Sequence, residues 1–367
     1  MSAEVYAGLM SGTSLDAVDA VLVRFSPQTV QFLGQSSHPF PPALRTALLA
    51  LNRPGGHDEL EQAAQAGIAL ARCYADATLE ALRNAGLKAA DVRAIGCHGQ
   101  TVRHRPGEGF TLQLGNGAWL AELTGITVVT DFRSRDVAAG GQGAPLVPAF
   151  HAAQFGVPDR TRVILNLGGI SNLTLLQPGK ALRGYDCGPC NVLLDGWTER
   201  HLQRPFDADG AWGRTGVVQS GLLEALLAHP YFDRLPPKST GRDEFHLGWL
   251  DAHPAVQRHA PQDVQATLVE LAARAAADCL RRETGGAGAE VYCCGGGARN
   301  PLLMERLQAL LPRLPVDRTD ALGLPTAWVE AVAFAWLARE LLAGRKAGQP
   351  DVTGARHAVP LGAIYPA

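Results

Sequence analysis

One aspartate stands where acid–base chemistry is often carried out, between a short strand and a helix. Asp186 follows the strand-forming residues 183–185 and precedes the turn CGPCN (187–191), after which a helix is predicted. A carboxylate at a strand end beside a glycine-containing turn can act as a general base on water or on a hydroxyl group. An aspartate at this position can equally cap the helix that follows. The residues alone leave both roles open.

Three turns rich in small residues can bring backbone amides close to phosphate groups. The first, at the tip of a predicted hairpin, comprises Gly12, Thr13, Ser14, Leu15, Asp16, Ala17, Val18 and Asp19. The second contains Gly168 and Gly169, and the third, at a strand-to-helix junction, contains Gly295, Gly296, Gly297 and Asn300. Glycine permits the close approach of a phosphate, and hydroxyl groups and helix N-termini add donors. The respective alternatives are an ordinary polar turn, a hairpin loop and tight helix–strand packing.

The spacing of these glycines excludes two familiar phosphate-binding motifs. No Gly-Lys-Ser/Thr follows the first turn, so it is not a P-loop, and the third lacks the GxGxxG spacing of a dinucleotide-binding fold. The carboxylates of Asp16 and Asp19 suit Mg²⁺, which prefers oxygen ligands and keeps several waters. The first turn is therefore a candidate for holding nucleotide phosphates with Mg²⁺ beside them.

Polar side chains that follow two predicted strands suit the hydroxyl groups of a sugar. His98, Gln100 and Thr101 follow the strand 92–96, and Arg133 follows the strand 126–131. A core or capping histidine is the alternative for His98. For Arg133 and Asp136, which follow the same strand, the two alternatives are ligand contacts and an interdomain ion pair.

The sequence has two further charged features, a glutamate within an apolar helix and a basic loop. Glu330 lies inside an otherwise apolar predicted helix, 326–342. Because an unpaired buried carboxylate is costly, Glu330 either faces a cleft or belongs to an exposed stripe. The basic loop 236–242 is expected to be a solvated loop.

Cys187 and Cys190 form a CxxC pair of the type used in dithiol exchange. Such a motif normally follows the first strand of a small βαβ domain, whereas this pair lies in the middle of the chain. No second CxxC or histidine pair has the spacing of zinc ligands. The chain has seven cysteines, an odd number that does not suggest a disulfide framework, so we expect a reduced, cytoplasmic protein.

The composition limits the class of protein. At about 150 residues per domain, the 367 residues predict two domains, which leaves room for a cleft between them. A net charge of −2 argues against binding to nucleic acid. No signal peptide is visible, and no apolar run approaches the ~18–20 residues of a membrane helix, so no membrane partner is expected.

The predicted elements repeat between the two halves of the chain. Each half has a hairpin with a small-residue turn and, later, a strand that ends in glycines. Long helices are predicted at 59–85, 263–283 and 326–342 from their apolar periodicity. The glycine-rich segment 138–143 is the expected crossing between domains. The pattern predicts an α/β protein built by duplication, with a simple repeated α/β packing as the alternative.

Taken together, these segments resemble the anhydro-N-acetylmuramic acid kinase family, a branch of the sugar kinase/Hsp70/actin superfamily. The resemblance is carried, in order, by GLMSGTSLDAVDA, GCHGQTVRHRP, TVVTDFRSRDVAAGGQGAPLVP, LNLGGISNLT, YDCGPCN, PPKSTGRDEF, CGGGARNPLLMERL and WVEAVAFAWLA. It implies a two-lobed actin-like ATPase fold, which is a duplicated ribonuclease H-like fold, with ATP in the interdomain cleft. We expect the lobes to be residues 1–135 with about 350–367, and residues 136–349. The family also suggests a homodimer.

The resemblance implies a particular reaction. Water opens the 1,6-anhydro bridge of the sugar while the γ-phosphate of ATP moves to O6, which gives N-acetylmuramic acid 6-phosphate and ADP. Asp186 falls on the family's general base, and Glu330 on a glutamate expected near the sugar. Asn191 of the same motif as Asp186 is also placed at the substrate. The alternatives are a kinase of the same superfamily acting on an ordinary hydroxyl, a non-catalytic ATP-binding module and a dithiol oxidoreductase.

Three residues depart from the family pattern. Cys187 and Cys190 stand where the family usually has Thr and Gly, and Ala17 replaces a usual Gly. A side chain at position 190 or 17 is a concern only if the backbone there needs a positive φ angle.

Overall fold

The computed structural model describes residues 4–12, 15, 17–26, 30–236, 238–242 and 244–367. Thr13, Ser14 and Asp16 of the first predicted phosphate turn lie outside the described residues. The chain divides into two compact units. The first unit is formed by residues 1–154 and 328–367, and the second by residues 155–327.

Strands and helices alternate in both units. The strands are β1 (Glu4–Ser11), β2 (Ala17–Phe25), β3 (Val30–Pro39), β4 (Val92–Cys97), β5 (Gln100–Arg105), β6 (Phe110–Leu114), β7 (Val128–Thr130), β8 (Thr161–Leu167), β9 (Ile170–Leu176), β10 (Arg183–Pro189), β11 (Ala289–Cys294), β12 (Val316–Arg318) and β13 (Ala363–Tyr365). The α-helices are α1 (Pro42–Leu51), α2 (Glu59–Ala85), α3 (Gly117–Thr124), α4 (Ser134–Ala138), α5 (Val147–Phe155), α6 (Asn191–Leu202), α7 (Ser220–Leu227), α8 (Leu247–Asp251), α9 (Pro261–Thr284), α10 (Pro301–Leu310), α11 (Val329–Leu342) and α12 (Pro350–Thr353).

The two main sheets share one topology. The sheet of the first unit has the order β13-β7-β4-β1-β2-β3, and that of the second has the order β10-β9-β8-β11-β12. In each, three consecutive strands form an antiparallel meander, and the first of them pairs on its other side with a later parallel strand, β4 or β11. A further parallel strand, β7 or β12, follows. This repeat confirms the α/β fold made of two ribonuclease H-like halves.

The helical periodicity read from the sequence matches the buried faces. In α2 the buried stripe includes Leu70, Tyr74 and Leu82, and the helix ends at Gly86 as predicted. In α9 almost every residue from Val264 to Ala277 is buried, which makes this helix the centre of the second unit's core. Apolar burial of this kind supplies most of the favourable free energy of folding.

Helix α11 packs backbone to backbone on the sheet of the first unit. A Cβ atom added to Gly8 of β1 would lie 1.9 Å from the carbonyl oxygen of Ala331, and one added to Gly96 of β4 would lie 2.0 Å from that of Phe334. Only glycine permits this approach. The helix therefore belongs to the first unit.

The observed division differs from the predicted lobes in two places. Residues 136–154 and 328–349 lie with the first unit, whereas we expected them in the second lobe. The glycine-rich segment 138–143 is not the crossing, because the chain leaves the first unit at residue 154, inside α5.

Candidate functional site

Asp186 lies in the middle of β10, not after the strand as predicted, and is held by the loop that contains residues 238–242. Its carboxylate Oδ2 accepts the backbone N–H of Thr240 at 3.0 Å. Its own N–H donates to the carbonyl of Lys238 at 3.2 Å, and the Tyr231 hydroxyl donates to its carbonyl at 2.7 Å. The backbone and the carboxylate are both fixed by one neighbouring segment, and this is the preorganisation that a general base needs.

Asp186 does not cap the helix that follows. The N-cap of α6 is Cys190, and no side-chain hydrogen bond caps this helix. The pairing of β10 with β9 shifts register between Asp186 and Gly188, a bulge that separates the aspartate from the helix start. The alternative of a capping aspartate is therefore wrong.

Burial raises the pKa of Asp186 to about 6, although the Thr240 N–H and the Lys238 charge act in the opposite direction. Lys238 is only 8% exposed, and its ammonium lies 4.5 Å from the centre of the Tyr231 ring. Its Nζ donates to the Tyr231 carbonyl at 3.3 Å. The expectation of a solvated loop is wrong at this residue. The carboxylate is mostly ionised at neutral pH and can still take up a proton.

The two cysteines of the CxxC pair are buried thiols rather than reactive thiolates. Burial raises the pKa of Cys190 to about 12, and its thiol lies 3.6 Å from the Asn191 side-chain oxygen. Burial also raises the pKa of Cys187, whose thiol hydrogen-bonds with Cys279 rather than with Cys190. A dithiol exchange site needs a depressed pKa and access to solvent. Cys190 has a φ angle of −134°, so its position does not require glycine.

The Gly168-Gly169 turn joins the start of α6. The carbonyls of Gly168 and Gly169 accept the N–H groups of Asn191 and Val192 at 3.1 and 3.0 Å. The Asn191 side-chain amide donates to the Leu167 carbonyl at 3.1 Å. Asn191, which the resemblance placed at the substrate, thus ties its helix to the end of β8.

The third glycine turn packs against the same strand end. A Cβ added to Gly295, which has a φ angle of +83°, would lie 2.3 Å from the side-chain oxygen of Asn166. Gly296 has room, because its nearest atom would be the Asn191 side-chain nitrogen at 3.5 Å. Asn300 caps α10 by accepting the Leu302 N–H at 3.0 Å. Close helix–strand packing therefore explains why position 295 needs glycine. It does not explain the glycine at position 296, where a side chain would have room.

The strand register places Asp186 near these turns. Asn172 of β9 pairs with Asp186 on one side and with Asn166 on the other, and Asn166 lies two residues before Gly168. The second unit thus brings Asp186, Asn191 and two glycine turns to the carboxyl ends of β8 and β11, where α/β sheets commonly bind ligands.

In the first unit, the partly buried Arg133 pairs with the buried His98. The Nε and Nη2 atoms of Arg133 donate to His98 Nε2 at 3.1 and 2.8 Å, and Nη1 donates to the Gly143 carbonyl at 2.7 Å. Burial and the adjacent guanidinium hold the pKa of His98 well below its usual range, so the ring is neutral. Burial lowers the pKa of Arg133 to about 10, although the negative charges of Glu330 and Asp136 act to raise it.

Glu330 begins α11 and is partly buried. Its charge acts on Arg133 of the same unit, and so does that of Asp136. The alternative of an exposed stripe for Glu330 is therefore wrong, because the side chain is partly buried and its charge acts on the Arg133 guanidinium.

Gln100 belongs to the same sheet edge. It is 2% exposed, and its side-chain oxygen accepts the hydroxyl of Ser11 at 2.8 Å. Ser11 also contacts the Tyr74 hydroxyl at 2.6 Å, and Thr101 accepts the Gln113 side-chain amide at 3.2 Å. Ser11 ends β1, and Gln100 and Thr101 follow β4 at the start of β5, so these two predicted sugar contacts lie near the carboxyl ends of β1 and β4.

The hairpin turn of the first unit is only partly described. Leu15 has a φ angle of +57°, whereas Ala17 is an ordinary residue of β2. The replacement of glycine at position 17 therefore causes no backbone strain. Asp19 accepts the Ser37 hydroxyl at 2.8 Å. Within the described residues, no group of three or more His, Cys, Asp or Glu side chains could hold a metal ion.

Sequence reasoning missed several residues of these two clusters. The Thr240 N–H and the Lys238 carbonyl act through the backbone, so their side-chain types carry no signal for this role. Tyr231 lies in a loop-rich stretch without periodicity. The only available signal was the family motif PPKSTGRDEF, which contains Lys238 and Thr240.

Comparison with known proteins decides the family. A family model described as anhydro-N-acetylmuramic acid kinase matches residues 4–367. The chain is 57% identical over 370 residues to the protein of this name from Bordetella petrii, covering 99% of this chain and 96% of that one. It is 53% identical over 368 residues to the protein of this name from Thiobacillus denitrificans, covering 100% and 98%. The chain belongs to the anhydro-N-acetylmuramic acid kinase family. The resemblance drawn from the motifs is thus confirmed for this family of carbohydrate kinases.

Solved structures add no functional argument. The activator of the 2-hydroxyisocaproyl-CoA dehydratase from Clostridium difficile with bound ADPNP is 11% identical and covers 93% of this chain and 98% of its own, with a TM-score of 0.47. A likeness this low carries no conclusion about this chain. Among the described residues, no helix has both the length and the apolar character needed to span a membrane.

Proposed function

We propose that the protein uses ATP to phosphorylate O6 of 1,6-anhydro-N-acetylmuramic acid while water opens the anhydro bridge. The observation that carries this proposal is the carboxylate of Asp186. It is fixed by the Thr240 N–H, and its pKa is raised to about 6. Together with the family membership, this favours a base that removes a proton from the attacking water.

The proposed reaction needs no separate general acid to protonate O6. The oxygen of water forms a bond to C1, and its proton passes to Asp186. The C1–O6 bond breaks as C1 gains oxocarbenium character, as in glycoside hydrolysis. The electron pair left on O6 attacks the γ-phosphorus of ATP, and ADP departs. The negative charge that develops on O6 is therefore consumed by phosphoryl transfer.

The first unit would bind the sugar. Arg133 offers N–H donors from a rigid fork, Glu330 accepts hydroxyl protons, and neutral His98 orients the guanidinium. Gln100 and Thr101 lie at the same sheet edge and offer further polar contacts. Fixed polar groups of this kind lower the barrier mainly by orienting the reacting atoms.

The nucleotide would use the glycine turns. Gly296 leaves space beside Asn191 at the end of β11, which suits a phosphate near the backbone. Gly12, Gly168, Gly169 and Gly297 belong to the same set of turns, and the hydroxyls of Thr13 and Ser14 are proposed as donors. Charge neutralisation and positioning are the main demands of phosphoryl transfer.

Magnesium fits the chemistry of the first hairpin. The Asp19 carboxylate is a hard oxygen donor, and Asp16 lies outside the described residues. We propose that these two acids hold Mg²⁺ through waters, where the ion would neutralise phosphate charge.

The test is an assay of the purified protein with ATP, Mg²⁺ and the anhydro-sugar, with N-acetylmuramic acid as the competing ordinary hydroxyl acceptor. We expect ADP and a phosphosugar heavier than the anhydro-substrate by one phosphoryl group (HPO3) and one water. Phosphorylation only of the open sugar would favour the superfamily kinase that acts on an ordinary hydroxyl. ATP binding without any phosphosugar would favour a non-catalytic module.

We also propose a homodimer and a cytoplasmic location. The first unit exposes large apolar side chains, among them Leu112, Trp119 and Tyr365, that a second copy would cover. Light scattering after gel filtration gives the mass. A monomer at all concentrations would contradict the dimer.

A further inference from the structure

Asp136 is a fully buried acid of the first unit, with 0% of its surface exposed. Its Oδ2 accepts the backbone N–H of Gly143 at 2.8 Å, and its Oδ1 accepts the hydroxyl of Thr353 at 2.8 Å. A buried carboxylate is costly unless donors satisfy it. One of the two donors is 217 residues away in the sequence, in α12.

Gly143 connects Asp136 to Arg133. The Gly143 carbonyl accepts Arg133 Nη1 at 2.7 Å, while Nε and Nη2 donate to His98. Gly143 has a φ angle of +66°, and an added Cβ would lie 2.8 Å from a methyl group of Val137. The observed loop therefore needs glycine at position 143, and in this loop the Gly143 carbonyl faces the guanidinium.

The C-terminal segment closes the loop from the other side. The Gln142 N–H donates to the Thr353 carbonyl at 2.8 Å, and the Arg356 N–H donates to the Ala139 carbonyl at 2.9 Å. Residues 139–143 are thus fixed between α4 and α12. Thr353 contributes both its hydroxyl and its carbonyl to this arrangement.

We propose that Asp136 and Thr353 are positioning residues for the sugar site. They fix Gly143 so that its carbonyl holds the Arg133 guanidinium against His98. Because the guanidinium is a rigid fork, anchoring one N–H sets the direction of the donors that remain. The proposal rests on the proposed function, in which Arg133 contacts the sugar. It adds that a residue of α12 controls that contact without touching substrate.

The first test compares Thr353→Val, which removes the hydroxyl at nearly constant volume, with Thr353→Ser, which keeps it. We expect Thr353→Val to raise the KM for the anhydro-sugar by roughly 5- to 50-fold with the KM for ATP unchanged, and Thr353→Ser to match the wild type. Equal sugar KM values in all three proteins, or an equal rise in both KM values, would overturn the proposal.

A second variant and its control separate positioning from stability. Asp136→Asn removes the charge, and we expect a rise in sugar KM at least as large as that of Thr353→Val. Glu340→Gln is the matched control, because Glu340 is a buried acid of the same unit held by Arg339 and Arg345. It should lower the melting temperature and leave the sugar KM unchanged. A similar rise in sugar KM in the control would contradict a specific role.

A spectroscopic measurement keeps this inference distinct from the proposed function. The ¹⁵N shifts of the His98 ring report Nε2 as an acceptor and need no turnover. We expect that signature in the wild type and its weakening in Thr353→Val. An unchanged signature would overturn the positioning role even in an active enzyme. A wild type that retains the signature but does not phosphorylate the anhydro-sugar would instead contradict the proposed function.

Discussion

The proton affinity of Asp186 arises from a balance between burial and two nearby groups. Burial disfavours the ionised form, whereas the Thr240 N–H and the Lys238 ammonium favour it. The resulting pKa of about 6 is well matched to a base that works near neutral pH. The Lys238 charge is the smaller of the two effects that oppose burial, after the Thr240 N–H.

Replacing Lys238 should move the pH dependence of the reaction. Because its positive charge lowers the pKa of Asp186, Lys238→Met raises that pKa further. A protonated carboxyl cannot accept the proton of water, so the acidic limb of kcat/KM should shift to higher pH. The measurement is a pH–rate profile of both proteins.

The control variant removes the positive charge of an exposed lysine instead. Lys180 is exposed, and Lys180→Met should leave the acidic limb where it is. Identical profiles for the wild type and Lys238→Met would show that Lys238 does not tune the base.

Position 186 also shows where sequence reasoning at single residues succeeds and fails. The carboxylate was identified as a candidate base from its place after a strand and from the family motif. Its alternative role as a cap could be rejected only from the structure, because the bulge between Asp186 and Gly188 leaves no trace in the residue types. Likewise, the burial of Lys238 involves a contact with Tyr231, seven residues earlier in a stretch without periodicity.

At the scale of elements, α11 depends on two glycines in the strands beneath it. A methyl group at Gly8 or Gly96 would collide with helix backbone, which cannot yield as a flexible side chain can. We expect Gly8→Ala and Gly96→Ala each to lower the free energy of unfolding by about 1–3 kcal/mol or more. Thermal or urea unfolding measures this loss.

A third glycine provides the comparison. Gly221 in α7 has no atom within 4 Å of an added Cβ and no positive φ angle. Gly221→Ala should therefore stabilise the protein by roughly 0.5–1 kcal/mol, because alanine favours a helix. Equal stability of the Gly8→Ala and Gly221→Ala proteins would refute the close packing of α11.

Long elements could be predicted from periodicity, and among the short strands β7 lies within the predicted strand 126–131, whereas β12 and β13 were missed. The bounds of α2 agree with the prediction, and α9 agrees within two residues at its start. The strands β12 and β13 have three residues each, too few for a period to be visible. The crossing between units falls at the end of α5, just before Gly156 and Pro158, whereas the prediction relied on the denser glycine cluster at 138–143.

At the scale of the whole molecule, the residues of the proposed function are distributed over two related units. The glycine turns and Asp186 belong to the second unit, and the Arg133 cluster belongs to the first. The duplication was visible in the sequence as two hairpins and two glycine-ended strands. The assignment of α11 to the first unit was not, because periodicity shows which face of a helix is buried and not which sheet covers it.

Nucleotide binding should stabilise the folded chain as a whole. A ligand that binds only the folded state adds about 2.7 kcal/mol of stability at 100 times its Kd. We expect a non-hydrolysable ATP analogue to raise the melting temperature of the wild type. Gly296→Ala should melt at the wild-type temperature without nucleotide, since its methyl group meets only Asn191 at 3.5 Å.

The same variant should lose most of the nucleotide-dependent rise, because the methyl group would occupy space proposed for a phosphate. Gly221→Ala should keep that rise in full. An undiminished rise in Gly296→Ala would exclude this turn from the phosphate site.

The central claim is that Asp186 activates a water molecule that attacks C1 of the anhydro-sugar. The most direct measurement is the reaction in ¹⁸O-water, stopped early and compared with unlabelled product held in the same water. The account predicts one ¹⁸O at C1 of the product and a fall in kcat of about 10²–10⁴-fold in Asp186→Asn, with nucleotide binding retained. Product without label at C1, or wild-type turnover by Asp186→Asn, would contradict it.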